Sequence, residues 1–326
     1  MLAGRNARAV AALAAELGCA HRAFALDDAG ALRAGLAGAT AVLNCAGPFS
    51  RTAAPMVDAC LRARVPYLDI TGEIDVLEGC AARDADARTA GIPLLPGAGF
   101  DVVPSDCLAA HVARRLPSAT RLALAFAPAT GPSRGTALTM LEHAHAGGTV
   151  RRGGALHHVP SGWRTRRIDF GHGPRTAITI PWGDVASAYH TTGIGDVEVY
   201  AAVPFGVRAG VHLSRACGPL LAWPALRRMF EARIRRGPPG PTAEERARLE
   251  TLLWAEATDD GGRAARARLR TPEAYELTSM TALDLGLRAA RGELPAGYQT
   301  PARALGPDYI LSFPGVARED VEPPGA

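Results

Sequence analysis

At 326 residues, 48% hydrophobic and 21% charged, the chain has an ordinary globular composition and enough length for two domains with real cores. A formal charge of only +4, with no clustered basic and aromatic face, argues against nucleic-acid binding. All 36 Lys+Arg positions are arginine. That excludes a Walker-type phosphate loop, a Schiff-base lysine and the Tyr-Lys pair of short-chain dehydrogenases, because a guanidinium does not exchange its proton near neutrality.

In chain order, Leu2-Ala3-Gly4-Arg5-Asn6 reads as the end of a strand and leads into a helix over Ala7–Leu17, closed by Gly18. A strand-like HRAFAL precedes Asp27-Asp28 and a helix over Ala29–Leu36. Strand Ala41–Cys45, helix Ala53–Arg64, strand Tyr67–Ile70, helix Val76–Ala90 and strand Ile92–Leu95 follow, then a helix over Ser105–Leu116 opened by Pro104. Short apolar runs that end in Gly, Pro, Asn or Asp and alternate with helices predict βαβ units and a parallel sheet.

Near Pro117 the pattern changes. Arg121–Ala127 alternates as a half-exposed strand, a helix is predicted over Arg134–Ala146, and short strands follow at Ala155–Val159, Thr165–Phe170, Ala177–Ile180 and Val197–Val203. Strands in an unbroken run predict an antiparallel or mixed sheet. An arginine-rich, helical stretch covers 207–236. After it come a hairpin of Leu252–Thr258 with Ala265–Leu269 across Asp-Asp-Gly-Gly, a helix over Ala274–Arg291, a short YILSF strand and a loose polar tail.

The expected fold class is α/β: a Rossmann-like parallel sheet, its first strand and phosphate loop missing, with a second α+β domain. The domains are drawn at 1–118 for dinucleotide binding, 119–272 for substrate and dimerisation, and 273–326 for a helix and tail packing back on the first domain. A dinucleotide-binding unit opens with a strand, a glycine-rich turn and a helix whose N-terminus holds the pyrophosphate. No such turn precedes Ala7. In the strand order 3-2-1-4-5-6 the absent strand is central, so the expectation is a truncated front, with roughly 25–30 further residues upstream. At the tip of a second strand an arginine takes a 2′-phosphate, and Arg5 reads as such an NADP selector or as an ordinary helix-flanking surface residue.

Taken together, LAGRN, VLNCAGPFS, AAPMVDACLRARVPYLDITGE and GFDVVPSD, with SRGTALTMLEH, IPWGDVASAYHTTGIGDVEVY, RRGPPGPTAEER, TPEAY and GYQTPARALGPDYILSFPG, cover nearly the whole chain. They resemble the saccharopine dehydrogenase-like NADP-binding oxidoreductases, including the trans-acting enoyl reductases; the missing GATGYTG-like turn is the departure. The resemblance implies NADP (NADPH) as cofactor, with Asn44, Gly47, Pro48 and Phe49 on its nicotinamide side and Arg5 and Asn6 on its adenosine phosphate side. It also implies hydride transfer to or from a C=N, C=O or activated C=C bond of an amino-acid or acyl-type small molecule.

Asp69, Glu73 and Asp101 sit at strand tips, where a carboxylate can orient substrate or move a proton. They can equally cap helices, and for Asp69 and Asp101 that structural role is preferred. PWGDVASAYHTTG reads as a loop-rich stretch carrying Trp182 toward substrate and Tyr189 or His190 as a proton donor; packing between domains is the alternative. Arg134 heads a helix and can grip an acidic substrate. The histidines lack metal-ligand company, so no metal is expected. Six cysteines without a CxxC pair point to a reducing cytoplasmic setting, and of these Cys45 lies beside the crevice. The competing reading is a non-catalytic or membrane-peripheral binding protein on the same scaffold, touching anionic lipid through 207–236. A homodimer completes the expectations.

Overall fold

The computed structural model describes residues 1–128, 147–211 and 249–321, with isolated positions between 228 and 244. The first strands are β1 (Leu2–Gly4) and β2 (His21–Ala23), paired in parallel and separated by α1 (Ala7–Glu16). Asn6 caps α1, its side chain accepting from the Ala9 amide at 3.1 Å. Helix α2 (Ala29–Leu36), capped by Asp28, leads to β3 (Val42–Asn44), α3 (Phe49–Ala63) and β4 (Tyr67–Asp69). Next come α4 (Ile74–Ala81), α5 (Asp84–Ala90), β5 (Pro93–Leu95) and α6 (Val103–Arg115).

The alternation read from the sequence therefore forms a Rossmann-like parallel sheet, in which β3, β4 and β5 lie side by side. Leu68, Leu94 and Leu95 are fully buried, as expected of strands covered on both faces. Among the described residues β1 pairs only with β2 and β3 only with β4, so each has one unpaired edge. The single helix expected over Val76–Ala90 breaks at Ala82-Arg83. Asp84 is drawn away to accept the Tyr298 amide at 2.7 Å, and Arg83 turns to Asp58 at 2.5 Å.

The second unit is a nine-stranded mixed sheet in which β6 (Arg121–Ala127) runs parallel to β11 (Asp196–Ala202). Outside β11 lie β10 (Pro174–Thr179) and β9 (Thr165–Asp169), with β7 (Gly148–Arg152) and β8 (Ala155–Val159) branching from β11. On the other side of β6 are the hairpin β12 (Glu250–Thr258) and β13 (Ala264–Pro272).

Two expectations fail here. PWGDVASAYHTTG is not loop-rich: Asp184–Thr192 form α7, which Gly183 opens and Gly193 closes at φ 73°. The left-handed conformation that ends it suits glycine. YILSF is a 3-10 turn over Tyr309–Ser312 rather than a strand, held by the Tyr309 hydroxyl on Asp284 at 2.8 Å and its ring against Phe313.

The C-terminal part first forms α8 (Ala274–Ala290), which rests on β3 and β4. Then β14 (Gly297–Tyr298) adds a parallel strand to β5, and α9 (Pro301–Leu305) follows. The tail is not loose: β15 (Ala317–Val321) pairs with β13, and Asp320 accepts from His111 at 2.7 Å and Arg115 at 3.0 Å. One continuous core joins both units, running from Leu68 and Leu95 through α6 to Leu124, Val199 and Leu253.

Candidate functional site

The parallel register pairs Asn44 with Asp69 and Leu68 with Leu95, so three loops leave the sheet at one end. Asp69 joins them. Its Oδ1 accepts from the amides of Thr71 at 3.0 Å and Gly97 at 2.9 Å, and its Oδ2 accepts from the Tyr67 hydroxyl at 2.7 Å. Asn44 Nδ2 donates to that hydroxyl at 3.3 Å, and Asn44 Oδ1 accepts from the Ala46 amide at 3.1 Å. Burial pushes the Asp69 carboxyl up to about 6, although these hydrogen bonds pull the other way. Asp69 is a tie between loops.

Glu73 covers the start of α3, its two oxygens accepting from Phe49 and Ser50 amides at 2.8 Å each. The positive end of that helix is thereby already neutralised and offers nothing to a phosphate. Above it Gly47 and Pro48 stand exposed, joined by a cis peptide bond. A Cβ on Gly47 would meet nothing nearer than 3.9 Å, so a flat uncharged group can lie against this backbone. Arg5, exposed just beyond β1, makes no ion pair among the described residues and keeps its guanidinium for an anion. Taken singly, the open backbone at Gly47 can accept a flat uncharged ring and the exposed Arg5 an anion. Cys45 shares the exposed loop, but burial of its thiol, with Asp69 nearby, raises its pKa, the reverse of what a nucleophile needs.

Asp101 lies where the two units meet. The Trp182 indole donates to its backbone carbonyl at 2.9 Å, and its Oδ2 lies 2.8 Å from where a Cβ on Gly72 would stand. Gly183 is equally confined, against Gly72 O at 3.0 Å and Leu77 Cδ1 at 2.9 Å. These two glycines let the loop after β4 touch the start of α7. The half-buried Asp101 carboxylate accepts no hydrogen bond among the described residues, and burial pushes it up to about 6. Beside it, Phe126 packs edge-on to Phe100 at 6.4 Å and against Trp182 at 4.9 Å, forming an aromatic wall. Deeper in, Asp184 accepts from Ser105 at 2.7 Å, and burial raises its carboxyl well above the ordinary range.

Tyr189 and His190 lie at the other end of α7, about 10 Å along the axis from Gly183. His190 Nε2 meets Glu78 at 3.3 Å, and its ring packs on Tyr298 at 5.1 Å. Arg151 pairs with Glu78 and spreads over the Tyr189 ring at 4.3 Å. Burial would raise the Glu78 carboxyl, but His190 and Arg151 outweigh it and hold it below its ordinary value. Thr191 donates to Asp106, whose other oxygen accepts from the Ala302 amide at 2.8 Å at the start of α9. The structure thus gathers Asn44, Phe49, Glu73, Asp101 and Trp182 at one end, while Tyr189 and His190 sit in an interdomain ion-pair cluster. Arg134 and most of 207–236 lie outside the described residues.

Sequence reasoning missed Gly72, Gly183 and the Phe100–Phe126 wall. A glycine just past a strand, as in Thr71-Gly72-Glu73, was the available signal for the first. Phe126 carried none, because only packing between units gives it a role. Among the described residues no helix is long and apolar enough to cross a membrane, and no cluster of His, Cys, Asp or Glu could hold a metal ion.

A parallel sheet with glycine-bearing loops at one end, backed by a mixed-sheet unit, defines a two-unit α/β protein with a Rossmann-like first unit. Residues 1–94 match the model of the saccharopine dehydrogenase NADP binding domain family. A probable mitochondrial saccharopine dehydrogenase-like oxidoreductase of Arabidopsis thaliana is 38% identical over 66 residues, 20% of this chain and 14% of that protein. A trans-acting enoyl reductase of Mycobacterium bovis is 32% identical over 120 residues, 35% of this chain and 29% of that protein. The matched stretches therefore span under a third of these relatives. The structure of saccharopine dehydrogenase (L-Glu forming) from Saccharomyces cerevisiae superposes with a TM-score of 0.66 over 98% of this chain and 93% of that one. At 11% identity that likeness concerns the fold.

Proposed function

We propose that the chain is an NADP-dependent oxidoreductase of the saccharopine dehydrogenase-like type, acting on a C=N, C=O or activated C=C bond of an amino-acid or acyl-type substrate. The observation that carries this reading is the Asp101 carboxylate, without a partner among the described residues and raised by burial to about 6, at the junction of the strand tips and the second unit. When bound, the cofactor supplies or accepts the hydride. The exposed Gly47-Pro48 backbone supports its ring, Arg5 faces its phosphate, and the Asp69–Tyr67–Asn44 chain holds the loop in place.

Asp101 handles the proton. In the reducing direction its carboxyl gives a proton to the atom that gains the electron pair, leaving a carboxylate; in the oxidising direction the carboxylate takes it back. The aromatic wall of Phe100, Phe126 and Trp182 shields that exchange from water. Titrating NADPH against the protein while following nicotinamide fluorescence tests cofactor binding. A flat titration in a chain carrying any residues naturally preceding Met1 overturns the reading.

A further inference from the structure

The second sheet has a face that the oxidoreductase reading leaves unused. Along β6, Leu122 and Leu124 enter the core shared with α6, while Ala123, Ala125 and Ala127 pack on the opposite side with Ile168, Tyr200 and Trp254. On that opposite side lies a cavity of about 490 Å³, lined by charged side chains from β6, β7, β9, β11 and β12.

Its charges are layered. Glu198 and Glu256 lie buried, 7% and 6% exposed. Glu198 pairs with Arg152 and with Arg164 at 3.0 Å, and it also accepts from the Tyr200 hydroxyl. Glu256 pairs with Arg166 at 2.5 Å and with Arg266. Each glutamate is thus the centre of an arginine–glutamate–arginine triad with one positive charge in excess. Asp196 beside Arg152, and Asp260 beside Arg121, offset part of this. Asp260 reaches furthest into solvent, but within the cavity lining the cations are the more exposed: the Arg164 and Arg121 side chains are 55% and 52% exposed, against 32% for Asp196.

A guanidinium has five N–H donors, and a carboxylate shared between two of them cannot engage them all. Arg164 and Arg166 therefore keep donors for a ligand. Arg164, just before β9, and Arg166, within it, are two positions apart with backbones roughly 6–7 Å from each other, and both line the cavity. That spacing suits two linked oxyanions better than one.

We propose that this face binds a small molecule bearing two linked oxyanion groups, with a diphosphate as its type. Inorganic pyrophosphate is the probe, and Trp254, with Arg166 4.7 Å over its ring, is the reporter. Titration of the full chain should change tryptophan emission saturably, with inorganic phosphate binding at least tenfold more weakly. Arg121→Gln combined with Arg164→Gln should weaken pyrophosphate at least tenfold and leave the NADPH titration unchanged. Glu198→Gln, which keeps the shape and removes a negative charge, should tighten it several-fold. The proposal falls if pyrophosphate does not saturate, if phosphate binds equally well, or if the double variant binds as before. Displacement by NADPH that is equal in wild type and double variant would assign the anion to the dinucleotide site and likewise overturn it.

Discussion

The two ends of α7 gather similar side chains and leave them differently partnered. At its start Asp101 lies against Trp182 and Gly72, with a carboxylate that no described residue partners. At its far end Arg151 and His190 both pair with Glu78 across the interface between the units. An ion pair whose partners are satisfied fixes geometry; an unpaired carboxyl raised by burial is poised to exchange a proton. The difference teaches that a polar cluster is no catalytic centre merely because it contains histidine and tyrosine. What matters is which group has been left without a partner.

The sharpest way to break the comparison is at Asp101. Asp101→Asn is expected to lower kcat by at least about 100-fold while NADPH still binds. Tyr189→Phe or His190→Gln should cost less than about fivefold in the same assay, a loss well below that of an acid–base group. The reverse ranking in steady-state kinetics would move the chemistry to the other end of the helix. The expected stability effects run opposite. Glu78→Ala strands the buried Arg151 and should cost about 3–5 kcal/mol in denaturant unfolding, whereas Asp101→Asn should leave stability at neutral pH unreduced.

Smaller, but informative about the strand tips, is Asp69→Ala. It leaves the amides of Thr71 and Gly97 and the Tyr67 hydroxyl without their acceptor, at a cost of about 2–3 kcal/mol by the same unfolding measurement. NADPH affinity should weaken in step, because Asn44 loses its anchor through Tyr67. Unweakened cofactor binding would separate Asp69 from the dinucleotide site.

The remaining test is read from pH. Burial raises Asp69, Asp101 and Asp106 from 3.8 to about 6. The folded chain therefore retains protons that the unfolded chain has released. The contribution of these acids is greatest below about pH 4 and is lost as pH rises through 6. Denaturant midpoints should record that decline, and Asp101→Asn should flatten its share. In kinetics the reducing direction should slow above about pH 6, where Asp101 has lost its proton, and this limb should vanish in the Asn variant. A reducing rate indifferent to pH between 5 and 8 would remove Asp101 from proton transfer.

The alternating strands and helices from Ala41 to Arg115 were legible in the sequence, as were the hairpin near Asp259 and the loop Asn44–Phe49. Periodicity, strand-end glycines and capping residues act over a few positions and leave a local record. The absence of lysine, with the chemistries it excludes, was equally plain. The helical state of Asp184–Thr192, the pairing of β15 with β13 and the partners of each carboxylate were settled only by tertiary structure. Trp182 meets Asp101 across 81 positions, and Ser105 meets Asp184 across 79. Hydrogen bonds and burial between residues so far apart exist only once both units have packed, and it is that packing which paired Glu78 and left the Asp101 carboxylate without a partner among the described residues.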